Sequence, residues 1–389
     1  MKFSKVKTFA FILTAFMLGC NEFMVVGVLS NIARSYHVSL STIGFLVTSF
    51  ALIYAISTPI VTTLTSRFDR YWLLMVLMGI FLLANTLTAL APNLFWLFAS
   101  RILTASVAGT LITTIYLYVN LLTPMAKKPL VIAWVGAGFS IASVIGVPIG
   151  TTIATLANWH WSFLLISALT VIVYVLLAKI IPHARPKKAS GIKGQLVLLK
   201  DHRVLLGIGV TMAVLALQYT FYTYIRSLIT TVMGFSLNQL NWMLFILGVM
   251  SIIGNQVAGE VASHGGTKTL PLVFLLMIAG CLALGLALRH QLSGMIVLSI
   301  LCLLVIVHGP TIQLVFMNTA AKSYPQSMAL ATSLISIFSN LGISIGSFTA
   351  SITVHSLSLT SVGYVAAIYG LIALALVLAL NHQPALEQE

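Results

Sequence analysis

The chain has 389 residues, of which 59% are hydrophobic and only 7% charged, and its mean hydropathy is +1.07. Soluble domains carry roughly 25% charged residues, so this composition predicts an integral membrane protein. The net charge of +14 does not indicate a nucleic-acid partner, because so apolar a chain has little water-exposed surface on which to build a binding face.

Twelve apolar runs are each long enough to cross a bilayer as a helix. A hydrocarbon layer of about 30 Å requires roughly 20 apolar residues at 1.5 Å each, and the alternating ten-residue segments of a membrane β-barrel are absent from the sequence. The predicted spans are residues 8–30, 43–65, 71–91, 95–121, 130–156, 160–181, 204–227, 239–262, 269–288, 293–319, 327–354 and 360–380. The sequence therefore predicts an all-α membrane protein with twelve transmembrane helices.

The first span contains the string FMLGCNEFMVVGVL, in which Cys20 stands where a lipoprotein signal would be cleaved. Such a signal ends at its cleavage site, whereas the apolar residues here continue to Leu29. Cleavage would also leave eleven spans and place the basic loops outside. We therefore expect an uncleaved span with Cys20 as a small packing residue. Cys20, Cys281 and Cys302 all lie in apolar runs, which argues against disulfides.

The basic residues predict the orientation, because cytoplasmic loops hold an excess of Lys and Arg. With the N-terminus inside, sixteen of the twenty basic residues fall in the inner loops and chain ends. Arg34, Arg226 and Arg289 fall outside, and Arg101 lies within a span. We therefore predict a multi-pass protein of the cell (inner or plasma) membrane with both termini cytoplasmic, whose basic excess also attracts anionic lipids.

The connection between spans six and seven, PHARPKKASGIKGQLVLLKDHR, is the longest and most basic. It divides the chain into an N-terminal six-helix bundle (1–182), a basic cytoplasmic linker (183–202) and a C-terminal six-helix bundle with a short tail (203–389). Two such bundles, related by an axis along the membrane normal, let a site at their interface open alternately to each side. The alternative is a single rigid block of helices, such as a channel or a membrane enzyme.

Sequence signals for those alternatives are missing. We find no channel filter, no His/Glu metal pair on a helix face, no GxSxG string and no paired carboxylates, so we predict no enzyme activity, no metal site and no cofactor. The acids are more informative. Outside the tail only Glu22, Asp69, Asp201 and Glu260 occur, and only Glu22 falls within the predicted bilayer.

Five short strings carry a resemblance to a known family. They are NEFMVVGVLSNIA in span one, TSRFDRYWLL after span two, GVPIG in span five, WHWSF after it and YTFYTYIRSL in span seven. Together with Arg101 in span four, they resemble the major facilitator superfamily over essentially the whole chain. The resemblance is to its twelve-span drug:proton antiporter branch and the nearby sugar-efflux members. The signature after span two departs from its general form, since Thr62 and Ser66 replace a glycine and an aspartate.

The resemblance implies a fold of two pseudo-symmetric six-helix bundles, in which helices one, four, seven and ten line a central cavity. Glu22 and Arg101 are predicted at similar depths, about 20 Å from the cytoplasmic end of span one and about 10 Å from the outer end of span four. They would face each other or share a substrate. Desolvation disfavours a carboxylate there unless the arginine offsets it, so Glu22 is the candidate for proton coupling. The alternatives are a structural ion pair for Glu22 and an architectural role for Arg101.

Five further residues complete the predicted cavity. Asn21 and Gln218 are neutral polar residues in mid-span, for which interhelical hydrogen bonding is the alternative. Tyr219 and Tyr222 lie in the outer half of span seven, where an aromatic interfacial belt is the alternative. His308 is a second candidate for proton coupling, and the alternative is a packed neutral histidine beside a helix kink.

Gating is predicted at the mouth between spans two and three and at small residues that let helices approach closely. Close contact between spans of the two halves would form the seal. Asp69 is the candidate substitute for the missing aspartate of the signature. The predicted gating residues are Arg67, Asp69, Arg70, Gly146, Pro148, Gly150, Gly342 and Gly346.

The sequence thus predicts a proton-coupled antiporter for the efflux of small amphipathic solutes, such as drugs (multidrug efflux), sugars or related metabolites. A near alternative is a proton symporter or facilitator for a sugar or nucleobase. The alternative of another class is an uncoupled membrane channel or scaffold. The expected partners are a small-molecule substrate, protons and membrane lipids, without nucleic acid, and we expect a monomer.

Overall fold

The computed structural model describes residues 5–65, 68–124, 128–183, 196–264 and 266–383. Within these ranges the protein is 90% helical, and twelve of the described helices are long and apolar enough to cross a membrane, which confirms the predicted fold class. We label these helices in chain order: α1 (Lys5–Ser35), α2 (Leu40–Leu64), α3 (Arg70–Ala89), α4 (Leu94–Leu122), α5 (Trp134–Leu156), α6 (Trp159–Ile180), α7 (His202–Tyr222), α8 (Leu237–His264), α9 (Leu270–Ala287), α10 (Gln291–Ser323), α11 (Met328–Ser356) and α12 (Val362–Asn381).

Polar residues cap the first turns of α6 and α7. The Oδ1 of Asn158 accepts a hydrogen bond from the backbone N–H of His160 at 3.0 Å, where α6 begins. The Oδ1 of Asp201 accepts from the backbone N–H of Arg203 at 2.9 Å, where α7 begins. These bonds satisfy donors that have no partner in the first turn of a helix, so they favour the start of α6 and α7 at these positions.

Two helices are interrupted, and a third is shorter than predicted. In α5 a π-helical turn over Ala142–Gly146 precedes Pro148, whose ring removes a backbone donor. In α10 the helix breaks at Val307. The sequence predicts that span seven reaches residue 227, but α7 ends at Tyr222, and a separate short helix covers Ile225–Ser227. The apolar run continues past the helix end there, so hydropathy overestimates its length.

The chain divides into two compact units, Met1–Ala189 with α1 to α6 and Ser190–Glu389 with α7 to α12. In the first unit α1 packs on α5 and α6, α2 and α3 pack on α4, and α3 packs on α6. In the second unit α7 packs on α11 and α12, α8 and α9 pack on α10, and α9 packs on α12. The same pairings recur six helices later, as expected of two pseudo-symmetric bundles.

Most of the predicted linker, 183–202, lies outside the described residues, which end at 183 and begin again at 196. The described part of it includes a short 3-10 helix, Leu196–Lys200, ahead of α7.

Candidate functional site

Arg101 lies in α4 and is fully buried. Its Nη1 donates to Oδ1 of Asn21 and its Nη2 to the backbone oxygen of the same residue, both at 3.2 Å. Its guanidinium carbon lies 4.4 Å from the ring centroid of Phe50 and 5.5 Å from that of Phe163. Its Nε is buried without a partner among the described residues. The buried charge is therefore stabilised by hydrogen bonds to an amide and a carbonyl of α1 and by cation–π contact with two aromatic rings, one from α2 and one from α6.

A second amide extends this network into α3. The Nδ2 of Asn21 donates to Oδ1 of Asn85, and the Nδ2 of Asn85 donates to the backbone oxygen of Phe81 at 2.8 Å. Both asparagines are buried. Asn21 therefore links three helices, which is the interhelical role weighed above, and its role in a cavity stays a prediction. Asn85 was not among the predicted site residues, although an asparagine in the middle of span three is the same signal that pointed to Asn21.

Glu22 follows Asn21 on α1 but does not join the network. Its side chain is half-buried. Within the described ranges, no Lys, Arg or His nitrogen lies within 4.0 Å of its carboxylate, and no donor hydrogen-bonds to it. The structural ion pair with Arg101 is therefore not formed. The charge of Arg101 still acts on this carboxylate from beyond ion-pair distance. A carboxylate without donors or an ion-pair partner is nevertheless costly to keep ionised in a membrane span, which gives Glu22 a physical reason to exchange a proton.

His308 is the first residue of α10 after the break, and it is 5% exposed. Its Nδ1 lies 2.7 Å from the backbone oxygen of Val305, and because a carbonyl only accepts, Nδ1 carries the hydrogen. Its Nε2 is buried without a partner in the described part of the chain. Nε2 is thus the atom at which this ring would take up a proton. No cluster of His, Cys, Asp or Glu suited to a metal ion occurs among the described residues.

The predicted cavity residues of α7 lie on one stretch of that helix. The rings of Tyr219 and Tyr222 pack edge to face with centroids 5.8 Å apart. Tyr219 is 4% exposed, whereas Tyr222 and Gln218 are half-buried. Just beyond the helix, the hydroxyl of Tyr224 lies 2.9 Å from that of Ser351 on α11. Tyr219 and Tyr224 are therefore buried, unlike residues of an outward-facing aromatic belt.

The predicted gate between α2 and α3 is only partly described, because Arg67 lies outside the described residues. Asp69 caps α3, its Oδ1 accepting from two backbone N–H groups of the first turn at 2.9 and 3.4 Å. The same oxygen lies 3.5 Å from Nδ1 of His183, just beyond the end of α6. Arg70 is the first residue of α3 and is half-buried. Asp69 thus has a local structural task, and its gating role stays a prediction.

The small residues of α5 pack against α1 in the same unit. A Cβ placed on Gly146 would lie 3.2 Å from Sγ of Cys20, and one on Gly150 would lie 3.1 Å from Cε of Met24. Cys20 is 5% exposed at this contact. Pro148 stands between the two glycines, just after the π-helical turn. These residues let α1 and α5 approach closely.

The second unit repeats this contact between α7 and α11. A Cβ on Gly342 would lie 2.6 Å from the backbone oxygen of Met212, and one on Gly346 would meet the backbone of Ala216. Both glycines therefore bring α11 close to α7, which belongs to the same unit. The predicted role of the glycines in gating remains to be tested.

Comparisons with known proteins point to one family. A family model described as Major Facilitator Superfamily matches residues 11–347. The uncharacterized MFS-type transporter YbcL of Bacillus subtilis is 28% identical over 380 residues, which cover 97% of this chain and 96% of the relative. A probable sugar efflux transporter of Helicobacter pylori is 28% identical over 374 residues, which cover 96% and 94%. The crystal structure of a D-xylose-proton symporter matches with a TM-score of 0.78 over 96% of each chain at 15% identity, which shows a shared fold alone.

Proposed function

Because the chain belongs to the major facilitator superfamily, we propose that it is a proton-coupled secondary transporter that exports small amphipathic solutes by alternating access. The relatives reported above carry the names of transporters, and the family is not a class of enzymes. In this proposal the solute crosses the membrane chemically unchanged, and the energy comes from protons that move the other way.

The proposal rests on the contrast between Glu22 and Arg101. The guanidinium of Arg101 is held by Asn21 and two aromatic rings, so it can stay charged throughout a cycle. Glu22 has neither an ion-pair partner nor a hydrogen-bond donor within the described ranges. A half-buried acid of this kind can change its protonation state without breaking a network, which is what a proton-coupling group must do.

In the proposed cycle Glu22 takes up a proton while the cavity faces the acidic outside. Substrate that arrives from the cytoplasm favours the state in which this proton is released. Each ligand then shifts the population of the states that the other binds, so a single carboxyl group links the two fluxes. His308 is the second candidate, since its Nε2 is a buried acceptor.

Sugars and related weakly polar metabolites are the substrate class that we place first, with amphipathic drugs second. The name of the Helicobacter pylori relative refers to sugar efflux. Amide and phenol groups both donate and accept hydrogen bonds, as sugar hydroxyls do. The half-buried Gln218 and Tyr222 of α7 offer this chemistry. An aromatic ring such as that of Tyr222 also offers an apolar face for an amphipathic solute.

We also propose that the protein works as a monomer in the cell membrane, with both termini cytoplasmic. The distribution of Lys and Arg among the loops supports this orientation. The same basic loops favour contact with anionic lipids.

Reconstituted vesicles with an imposed pH gradient and a panel of labelled sugars test the proposed function. An exporter moves its substrate uphill, against the direction of proton flow. A proton symporter would instead move substrate and protons in the same direction. Downhill flux that ignores the pH gradient would indicate a facilitator or an uncoupled channel, and proton coupling would then be rejected.

A further inference from the structure

The second unit contains a cavity of about 330 Å³ that the proposed transport cycle does not use. Its walls are the start of α7, the end of α8, the loop that follows α8, the second half of α10 and the end of α12. Among the described residues that line it, the charged ones are Arg203 and Lys268, both basic. The predicted cavity residues of α7, from Gln218 to Tyr222, lie at the other end of that helix, roughly 22 Å along its axis.

The α10 wall of this cavity carries two threonines whose hydroxyls have no hydrogen-bond partner in the described part of the chain. Thr311 and Thr319 are 2% and 0% exposed, and the Oγ1 of each is buried without a hydrogen bond to the described residues. Buried threonines elsewhere in this unit bond the carbonyl one turn back, as Thr211 and Thr220 do. A buried hydroxyl without a partner is unfavourable, so two of them on one cavity wall indicate a site for a polar ligand.

Other lining residues of the cavity add charge and a third polar group. Neither Arg203 nor Lys268 lies within 4.0 Å of a carboxylate oxygen of the described residues. The Nδ2 of Asn381 donates to the backbone oxygen of Thr267 at 3.0 Å, while its Oδ1 is buried and unpartnered within the described ranges. Guanidinium and ammonium groups bind phosphate oxygens, and the hydroxyls can donate to them. The Asn381 oxygen can only accept, which suits a hydroxyl group of the ligand.

We propose that this cavity binds a phosphate ester that carries a hydroxyl group, with the phosphate at Arg203 and Lys268 and the hydroxyl near Asn381. Its volume lies in the range of small-molecule sites. Two sources share this chemistry: the glycerol-phosphate head group of an anionic lipid and a free glycerol or sugar phosphate. The inference is independent of the transport proposal, because it concerns binding to the second unit alone.

Thermal unfolding of the purified full-length chain in detergent tests the inference with two probes. The probes are glycerol 3-phosphate and mixed micelles with phosphatidylglycerol, and phosphatidylcholine micelles serve as the neutral comparison. A binding probe should raise the unfolding temperature saturably. Arg203→Gln and Lys268→Gln should each weaken the apparent affinity roughly tenfold. Lys200→Gln removes an exposed basic residue just before α7 and should change nothing.

A response to phosphatidylglycerol alone would support the site and identify a lipid head group, and a response to glycerol 3-phosphate alone would support it and identify a free ester. No shift with either probe would overturn the proposal. It would equally be overturned by shifts in Arg203→Gln and Lys268→Gln as large as that of the wild type.

Thr319→Val provides a second readout that does not depend on charge. Valine keeps the shape of the side chain and removes the unpartnered hydroxyl, so the ligand-free protein should unfold at the same or a higher temperature. The rise caused by the binding probe should become smaller. A lower unfolding temperature without ligand, together with an unchanged ligand effect, would show that the hydroxyl serves the bundle itself and would contradict the proposal.

Discussion

Arg101 donates two hydrogen bonds to Asn21 and forms no ion pair with Glu22, the next residue along α1. Consecutive residues of an α-helix point about 100° apart, so the guanidinium bonded to position 21 acts on the carboxylate at position 22 only from beyond ion-pair distance. The helix thereby separates two tasks. Asn21 and Arg101 belong to a buried network that includes Asn85, whereas Glu22 is left with a half-buried carboxyl group.

The first prediction concerns the stability of this network. Asn21→Leu removes the side-chain acceptor of Arg101, and hydrogen bonds to charged groups contribute about 1.5–3 kcal/mol each. We expect a clear drop in the thermal unfolding temperature of the purified protein. Adding Arg101→Met to this variant should recover part of the loss, because it removes a buried charge that has lost a partner. A double variant no more stable than Asn21→Leu would contradict this account of the network.

The twelve spans could be predicted because the bilayer sets their length and apolar character, so that every span is visible in local composition. The buried Arg101 could be found for the same reason, since a charge within an apolar run stands out. Its partner could not be predicted. Which side chain of α1 faces α4 depends on how the helices are rotated in the bundle, and a single sequence does not encode that directly. Asn85 itself was visible as an asparagine in mid-span, but its contact with Asn21 depends on the same rotations and could not be predicted.

The second prediction compares two glycines of the helix that forms α5. A Cβ on Gly138 would lie 2.6 Å from the backbone oxygen of Ile12 on α1, whereas one on Gly136 would have no neighbour within 4 Å. Gly138→Ala should therefore destabilise the protein by about 1–3 kcal/mol through overpacking. Gly136→Ala should be neutral or stabilise by up to about 1 kcal/mol, because alanine is the better helix former. Equal unfolding temperatures for the two variants would refute the close packing of α1 and α5.

The third prediction separates capping from gating at Asp69. Asp69→Asn keeps an oxygen that can cap α3 but removes the charge, whereas Asp69→Ala removes both, and loss of a cap costs about 0.5–2 kcal/mol. If the charge gates, both variants should slow conformational exchange, measured by single-molecule fluorescence in nanodiscs, and only Asp69→Ala should lower the unfolding temperature. Asp201→Ala, which removes the cap of α7, is the matched control. It should lower the unfolding temperature and leave the rate of conformational exchange unchanged. If Asp69→Asn exchanged between conformations at the wild-type rate, the charge of Asp69 would have no role in gating.

The fourth prediction concerns proton coupling at Glu22. Glu22→Gln resembles the protonated acid in shape and hydrogen bonding but cannot titrate. We expect insertion, binding of neutral substrates and downhill exchange to persist, and uphill transport driven by a pH gradient to be lost, because no proton is exchanged for substrate. Cationic substrates should also bind more weakly, since their counter-charge is gone. The measurement is substrate-induced proton release from purified protein in weak buffer.

Two further variants make the proton-release experiment decisive between Glu22 and His308. Glu260→Gln removes an exposed carboxyl group near the end of α8 and should release as many protons as the wild type. His308→Gln should do the same if Glu22 alone carries the proton. Undiminished release in Glu22→Gln together with loss of release in His308→Gln would reverse the assignment. The coupling proton would then belong to Nε2 of His308, the buried acceptor beside the break in α10, and Glu22 would have no part in the cycle.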